Sequence, residues 1–342
     1  MTDPAPKPPR PTRWGLYLPL AALGAAAIGW SVFWNIAAGM TQTGLDDWIA
    51  QERAQGRNWS CPTRSVAGYP FRLEVRCAAP SFTGRLGAYE GAGSAGDIFA
   101  AAHLYNPQLI LAEVGSPYVF KTRDGALDLS LTWTQLRVSH RLRKGSLDRD
   151  SLEMEGPTLR VAGRDIPPIT LRADQFEAHL RPNPDRDAAV SAFDLALRLT
   201  RLDAPFLDAA TGLAGPLDAL LAATALQVEA ARAGGPQALE RWRLAGGNVE
   251  IREMKLAKGE ARVEASGVFA LDDAHRLAGR MDLNLTGFGP VLQRMGLGLG
   301  PLTSAPLTSG GPTGALRLPV NFERGRASIG PLRLPFVLNP LY

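Results

Sequence analysis

Two cysteines are the residues whose chemistry follows most directly from type and spacing. Cys61 and Cys77 are the cysteines of this 342-residue chain. An even number of cysteines in an exported chain predicts a disulfide, because an oxidising compartment keeps such bonds. With a separation of 16 residues, the bond would add about 3 kcal/mol to stability in the chain-entropy model. A pair of buried free thiols is the alternative.

The other residue types that commonly perform catalysis do not occur here in the spacings of known catalytic or metal-binding motifs. The sequence contains no H-E-x-x-H or C-x-x-C metal motif, no G-x-S-x-G nucleophile elbow and no Walker A loop. The acidic pairs at 46–47 and 272–273 are interpreted as a helix start and a turn. We therefore predict no catalytic residue, no metal and no cofactor. The histidines, none of which has a second ligand at metal spacing, are His103, His140, His179 and His275.

One glycine motif imitates a dinucleotide fingerprint. Gly91, Gly93 and Gly96 satisfy G-x-G-x-x-G. No apolar parallel strand precedes them, and no alternating strand-helix units follow. We interpret 91–96 as a loop that leads into a short helix opening at 97–100 and ending before Pro107.

Composition bounds the class of protein. Hydrophobic residues make up 45% of the chain and charged residues 20%, values typical of a folded protein. The net charge is +4, and the arginines are scattered rather than clustered. This distribution argues against nucleic-acid binding. The 36 glycines and 27 prolines favour many short elements joined by turns.

The elements that must position any site begin with an uncharged stretch at 16–38. Its 23 residues would span roughly 30 Å as a helix, enough to cross a bilayer. Basic residues precede it and acidic residues follow, which predicts a cytoplasmic tail at 1–15 and an exported remainder. The alternative is a signal peptide cleaved after Ala38 and release into the periplasm. A juxtamembrane helix is predicted at 39–58, with Leu45, Trp48 and Ile49 on one face.

Beyond residue 58, apolar and polar residues mostly alternate, which is typical of half-buried antiparallel strands. The clearest strand carries Phe71, Leu73 and Val75, and a turn at 68–70 precedes it. A hairpin centred on Tyr69 would place the two cysteines opposite each other. Later strands of the same kind contain Leu129 and Leu131, then Leu195 and Leu197.

Helices interrupt this pattern in a few places. The period shifts towards 3.6 between 205 and 231, where two helical pieces are predicted and Leu217, Leu220, Leu221 and Thr224 would share a face. Another helix is predicted to start at Pro236 and end at 246–247. A short helix at 290–295 and a loop at 296–314 precede the last strands. One periplasmic domain at 59–342 is predicted, with two related halves joined near 204–235 as an open alternative.

Several of these motifs together resemble a known family. A single N-terminal span, then W-x-C ending at Cys61, then S-V-x-G-Y-P-F-R at 65–72 and a second cysteine are similar to a Gram-negative envelope family catalogued as a domain of unknown function (the DUF 2125 type). The pattern at 237–247 and the closing L-P-V-x-F-x-x-G at 318–325 also fit. The resemblance implies a compartment and an architecture. It supplies no catalytic residues.

The expected fold is β-rich α+β: an N-terminal transmembrane helix followed by a long curved antiparallel sheet with a few short helices. Such a sheet has more apolar surface than these helices can cover, so a second sheet or a lipid must cover the rest. The family also looks like the AsmA/TamB-like envelope proteins, whose anchored β-grooves carry acyl chains. This resemblance implies the same arrangement here.

Our leading hypothesis is an inner-membrane-anchored periplasmic protein that binds a lipid or another amphiphile in a β-groove and serves envelope maintenance. The alternatives are a non-enzymatic envelope scaffold that binds a partner protein and, third, an envelope hydrolase or transferase. The side chains predicted to line the groove are Phe71, Leu73, Val75, Leu129, Leu131, Leu195 and Leu197.

Overall fold

A long N-terminal helix and a series of antiparallel strands make up the protein. The computed structural model describes residues 14–86, 89–232, 237–288, 316–330 and 332–342. The helix predicted at 290–295 and the loop at 296–314 lie outside these residues. Helix α1 (Trp14–Ala54) runs unbroken through the predicted anchor and most of the juxtamembrane segment. No proline interrupts 39–54, and α1 ends just before Gly56, which has a φ of +77°.

Fourteen strands follow α1. They are β1 (Asn58–Ser60), β2 (Thr63–Ala67), β3 (Arg72–Ala78), β4 (Ser81–Leu86), β5 (Tyr89–Ala95), β6 (Ile98–His103), β7 (Asn106–Val114), β8 (Tyr118–Thr122), β9 (Asp128–Thr132), β10 (Gln135–Arg143), β11 (Ser146–Glu155), β12 (Thr158–Gly163), β13 (Ile166–Arg172) and β14 (Gln175–Pro182).

The rest of the described chain adds eight strands and two short helices. They are β15 (Phe193–Leu202), α2 (Pro205–Thr211), β16 (Leu217–Ala225), α3 (Ala238–Leu244), β17 (Asn248–Lys258), β18 (Ala261–Leu271), β19 (Leu277–Thr286), β20 (Leu316–Glu323), β21 (Arg326–Ile329) and β22 (Leu332–Val337).

These strands form two open antiparallel sheets. The short wall has seven strands in the order β1-β4-β5-β8-β9-β12-β13. The long wall has fifteen, in the order β2-β3-β6-β7-β10-β11-β14 and then β15 to β22 in sequence. The predicted β-rich α+β class is therefore confirmed, with one sheet more than the single curved sheet that we expected.

The chain passes from one wall to the other at seven short junctions, which we call the crease. β1 leads into β2 and β3 into β4, for example, with only two residues between them. Since the strands follow the same order on both walls, each pair amounts to one long strand that bends at its middle. The first part of the fold is thus one antiparallel meander folded lengthwise. The crease comprises residues 61–62, 79–80, 96–97, 115–117, 133–134, 156–157 and 173–174.

Proline and glycine explain why the meander bends here. Proline has no N–H to donate to a strand ladder, so it belongs where pairing changes direction. The carbonyls of Pro80, Pro117 and Pro157 instead accept hydrogen bonds at 3.0, 3.0 and 2.9 Å from the N–H groups of Ala95, Gly96 and Ala173, at or next to a neighbouring junction. At Gly96 a Cβ atom would lie 2.5 Å from the carbonyl carbon of Gly115. Only glycine permits that approach.

Two sequence predictions of helix are wrong. Residues 91–100 form β5 and the start of β6 rather than a loop and a helix. Residues 217–225 form β16, a central strand paired with β15 and β17. Leucine and alanine favour helix intrinsically, but pairing with strands on both sides outweighs a propensity of a few tenths of a kcal/mol per residue. The helices predicted after Pro205 and near 237–244 are present as α2 and α3.

The predicted hairpin exists in a different register. Val66 pairs with Val75 and Arg64 pairs with Cys77, so the turn is centred between Pro70 and Phe71 rather than on Tyr69. Cys61 consequently lies in the crease and not opposite Cys77 in the ladder. The two residues nevertheless form a disulfide, with their Cα atoms 5.7 Å apart.

Candidate functional site: an apolar trough between the walls

The inner faces of the two walls are apolar and face each other across a trough. Tyr118 and Leu131 of the short wall pack against a buried cluster that contains Leu136 and Met154 of the long wall. Each apolar face continues along its sheet, because residues that pair across neighbouring strands point to the same side. In the short wall, for example, Leu131 pairs with Leu159 and with Tyr118.

Trp133 fills the floor of the trough at the crease. It is 8% exposed, and its indole Nε1 donates a hydrogen bond of 2.8 Å to the carbonyl of Val114. Leu136 and Met154 are buried beside it. The floor of the trough is therefore a close-packed hydrophobic core.

Away from the floor, the trough lining is only half-buried. On the short wall this holds for Leu129, and on the long wall for Leu73 and Val75. Leu195 and Leu197 lie on the inner face of β15, which has no short-wall strand as its continuation, and they too are half-buried. A sealed sandwich buries such central aliphatic side chains completely. The trough is therefore open along its upper part.

The structure brings six of the seven predicted lining residues onto this inner face. Leu73 and Val75 lie on β3, Leu129 and Leu131 on β9, and Leu195 and Leu197 on β15. Phe71 lies elsewhere. It belongs to the turn between β2 and β3, is 60% exposed, and its ring packs against Trp30 of α1 with centroids 6.2 Å apart.

Helix α1 lies beside the first end of the trough. Asp46 of α1 accepts a hydrogen bond of 2.6 Å from Arg64, and Trp48 packs against Trp59 at 5.8 Å. Trp59 then contacts Phe82, and Phe82 contacts Phe120, which is fully buried. Trp59 and Phe82 pair across β1 and β4 on the inner face. Aromatic rings thus connect α1 to the interior of the short wall.

One polar pair lies on the inner face where sequence reasoning saw only an isolated histidine. His140 Nδ1 and Asp150 Oδ1 are 2.5 Å apart, and the two residues pair directly across β10 and β11. Both side chains are partly exposed. Because His140 alternates with Leu136 and Val138, its place on this face could have been predicted from the sequence. Its pairing with Asp150 could not, because it depends on the register of the hairpin. The pair gives the trough a polar contact point.

The opposite face of the long wall is polar and contains a buried carboxylate. Asp194 is 5% exposed and accepts hydrogen bonds of 2.8 Å from Thr224 and Asn183. Burial alone would raise the pKa of Asp194. The hydrogen bonds from Thr224, Asn183 and Arg181 and the charge of Arg252 outweigh that effect, and the pKa of Asp194 lies below its usual value.

A hollow on this polar face, outside the trough, is another candidate site. It has a volume of about 720 Å³ and spans β17 to β20. Charges of both signs line it, because the outward positions of these strands are polar. Its charged lining residues are Arg252, Glu253, Lys255, Glu264, Arg280, Asp282 and Arg317.

A second polar cluster ties the C-terminus to α3. Glu240 accepts hydrogen bonds of 2.9 Å from Arg243 and 2.7 Å from the Tyr342 hydroxyl. The Arg243 bond, followed by the Tyr342 bond, lowers the pKa of Glu240 to about 2. The Tyr342 ring stacks on His275 with centroids 4.3 Å apart. This arrangement holds the last residues of the chain in place.

The described residues bring no metal-binding group together. Within them, no three His, Cys, Asp or Glu side chains are placed to hold a metal ion. The glycine motif at 91–96 serves strand packing: a Cβ atom on Gly91 would lie 2.3 Å from the carbonyl oxygen of Lys121 on the neighbouring strand. Its glycines allow β5 and β8 to approach closely, which is a structural use rather than a phosphate site.

The fold and trough define a class: a β-rich protein with a folded meander and an N-terminal helix long and apolar enough to cross a membrane. None of the 18 residues in the most apolar window of that helix is buried against the rest of the protein. The chain belongs to the family described as "Uncharacterized protein conserved in bacteria (DUF2125)", whose model matches residues 34–335. No curated protein matches the chain, and no solved structure matches it.

Proposed function

We propose that this protein is anchored in the inner membrane by α1 and binds the acyl part of a lipid or another amphiphile in its trough, outside the cytoplasm. The observation that carries the proposal is the half-burial of Leu73, Leu129 and Leu197 on apolar faces that line one trough. Exposed aliphatic surface is unfavourable in water. Burying an acyl chain against it gains about 0.8 kcal/mol per methylene.

The charges around α1 support its orientation in this proposal. Lys7, Arg10 and Arg13 precede the apolar stretch, and Asp46 and Asp47 follow it. Positive residues stay on the cytoplasmic side, so the sheets would lie in the periplasm. The disulfide between the two cysteines fits an oxidising compartment.

The burial pattern favours a ligand over a self-sealed scaffold. Phe269, Val320 and Phe322 lie on a covered part of the long wall, and each of them is at most 9% exposed. Leu195 and Leu197 on β15 of the same sheet are more exposed. An acyl chain along β15 would supply the missing cover. The His140–Asp150 pair would then offer hydrogen bonds to a polar head group.

A partner-binding scaffold is the second candidate, and the polar hollow on β17 to β20 favours it. A hollow of about 720 Å³ lined by both arginines and carboxylates can pair with the charged side chains of another protein. In this alternative the polar face would bind the partner protein, and the trough would have only a structural role.

A photo-crosslink at neighbouring residues tests the trough directly. Leu197 and Ala196 lie side by side on β15 and point to opposite faces. Each would be replaced separately by p-benzoylphenylalanine in the full-length protein, and irradiated cells would be analysed by mass spectrometry of the labelled peptide. We expect lipid adducts at 197 and not at 196. Protein adducts at 196 with no lipid at 197 would support the scaffold instead.

A further inference from the structure

The turn between β2 and β3 is bound to the middle of α1. Trp30 Nε1 donates a hydrogen bond of 2.8 Å to the carbonyl of Pro70. The Ser31 and Tyr69 hydroxyls share another of 2.8 Å. One helical turn further on, Trp34 Nε1 donates to the carbonyl of Arg72, also at 2.8 Å. These contacts fix the height of the turn along the helix.

That height coincides with a membrane boundary if α1 spans the bilayer. Tyr17 and Trp34 are separated by about 26 Å along a helix that rises 1.5 Å per residue. The hydrocarbon layer is about 30 Å thick. With Tyr17 at one interface, Trp34 therefore lies close to the other, and Trp30 lies about 6 Å, one helical turn, deeper. Tryptophan and tyrosine concentrate at both interfaces, where one end of the ring is apolar and the other meets water.

The turn presents large apolar side chains at this height. Tyr69 is 54% exposed and Phe71 60% exposed. The next hairpin turn joins them, because the N–H of Leu104 donates a hydrogen bond of 3.0 Å to the carbonyl of Phe71. Beside that contact Tyr105 is 73% exposed. We call Tyr69, Phe71 and Tyr105 the aromatic tip.

The backbone carbonyls of this exposed turn accept hydrogen bonds from protein donors. The carbonyl of Gly68 accepts from the N–H of Arg72 at 3.0 Å, and Pro70 has no N–H to satisfy. Together with the two indole bonds and the Leu104 bond, carbonyls at 68, 70, 71 and 72 all have protein donors. Polar groups without water need such partners, whereas a turn in water does not. Paired carbonyls beneath exposed aromatic rings fit a lipid interface.

We infer that the aromatic tip rests in the head-group layer of the membrane that α1 crosses, on the side where the sheets lie. The partner is a phospholipid bilayer surface, bound by three aromatic rings at two adjacent hairpin turns. This inference rests on the proposed anchor. It deepens that proposal, because the edge of the long wall would be held against the membrane and the trough would open beside its lipids.

Spin labels at defined positions of the full-length protein would test this. Both native cysteines are in the disulfide, so a label reacts only with an introduced thiol. The variants Phe71→Cys and Tyr105→Cys report on the tip, Leu23→Cys on the span, and Val268→Cys on an exposed apolar site of β18. Each protein is reconstituted into nanodiscs of phosphatidylethanolamine and phosphatidylglycerol. Power saturation then compares label collisions with oxygen and with a water-soluble nickel chelate.

We expect labels at 71 and 105 to be shielded from nickel and accessible to oxygen, at a depth between those at 23 and 268. Labels at 71 and 105 that match the aqueous value at 268, with 23 within the bilayer, would overturn the inference and leave the anchor intact. An aqueous value at 23 would overturn the anchor and the inference together. Tyr105→Cys alters a different hairpin from Phe71→Cys, so misfolding of one variant leaves the other informative.

Discussion

Cys61 in the crease and Cys77 on β3 are joined by a disulfide, with Cα atoms 5.7 Å apart. The bond spans the point where the chain turns from β1 of the short wall to β2 of the long wall. It therefore holds the first bend of the meander, at the end of the trough that adjoins α1.

Replacing both cysteines tests the contribution of this bond. We expect the Cys61→Ser, Cys77→Ser variant to lose about 3 kcal/mol of unfolding free energy, because the unfolded chain regains the freedom of a 16-residue loop. Urea unfolding of the full chain in detergent micelles measures the change. Alkylation of both thiols in native protein taken directly from the envelope would contradict the oxidised state.

A charge on the open part of the trough should leave the fold intact and remove the ligand. Leu197 lies on β15, beyond the last short-wall strand, so the long side chain of Leu197→Arg can reach water. We expect an unchanged thermal midpoint and loss of the co-purified lipid. Val268→Arg, at an exposed position of the polar face, is the control that keeps its lipid. Equal lipid content in both variants would exclude the inner face of β15.

The same charge near the floor should unfold the protein. Leu131 packs against the cluster of Trp133, Leu136 and Met154, where the two walls meet at the crease. The cation of Leu131→Arg would be buried without a partner, a change that costs several kcal/mol. Circular dichroism during heating would show a large fall in thermal midpoint. An unchanged midpoint would mean that the trough is open down to its floor.

The buried carboxylate on the polar face should matter more than a surface one. Asp194→Ala leaves the Thr224 hydroxyl, 1% exposed, without its acceptor, at a cost of roughly 1–3 kcal/mol. Asp128→Ala, which removes an exposed pair with Lys121, should cost at most about 1 kcal/mol. Urea unfolding of both variants compares them. Equal losses would contradict a structural role for the buried network.

Glu240 should titrate far below an ordinary glutamate. Because its folded pKa of about 2 lies below the usual 4.5, its contribution to stability is present above pH 4.5 and is lost as the pH falls towards 2. Carboxyl ¹³C shifts measured by NMR give the pKa. Arg243→Gln should raise it most and Tyr342→Phe less, following the order of the two hydrogen bonds. An unchanged pKa in both variants would contradict the cluster.

Much of the architecture could be predicted because it depends on local pattern. The apolar stretch at 16–38, the alternation around Leu73 and Val75, and the even number of cysteines identify a long apolar helix, antiparallel strands and a disulfide. Each of these signals is contained in a short window of sequence, where spacing alone determines which side chains share a face.

Residues 217–225 show where local pattern misleads. Leucine and alanine at these positions have a helical spacing and a helical propensity, and the sequence alone indicates a helix. The segment is a strand because β15 and β17 pair with it on both sides. Hydrogen bonds to strands distant in sequence, together with burial of Ala223, outweigh the local preference.

The sequence by itself determined the periodicity, the long apolar helix and the cysteine pair, because these are properties of neighbouring residues. Only the tertiary structure decided that the meander folds along a crease into two walls, that His140 meets Asp150, and that Trp34 binds the carbonyl of Arg72. Each of these depends on strand register or on packing between distant segments. A shift of one residue in register would turn every lining side chain to the other face, and no local signal fixes that choice.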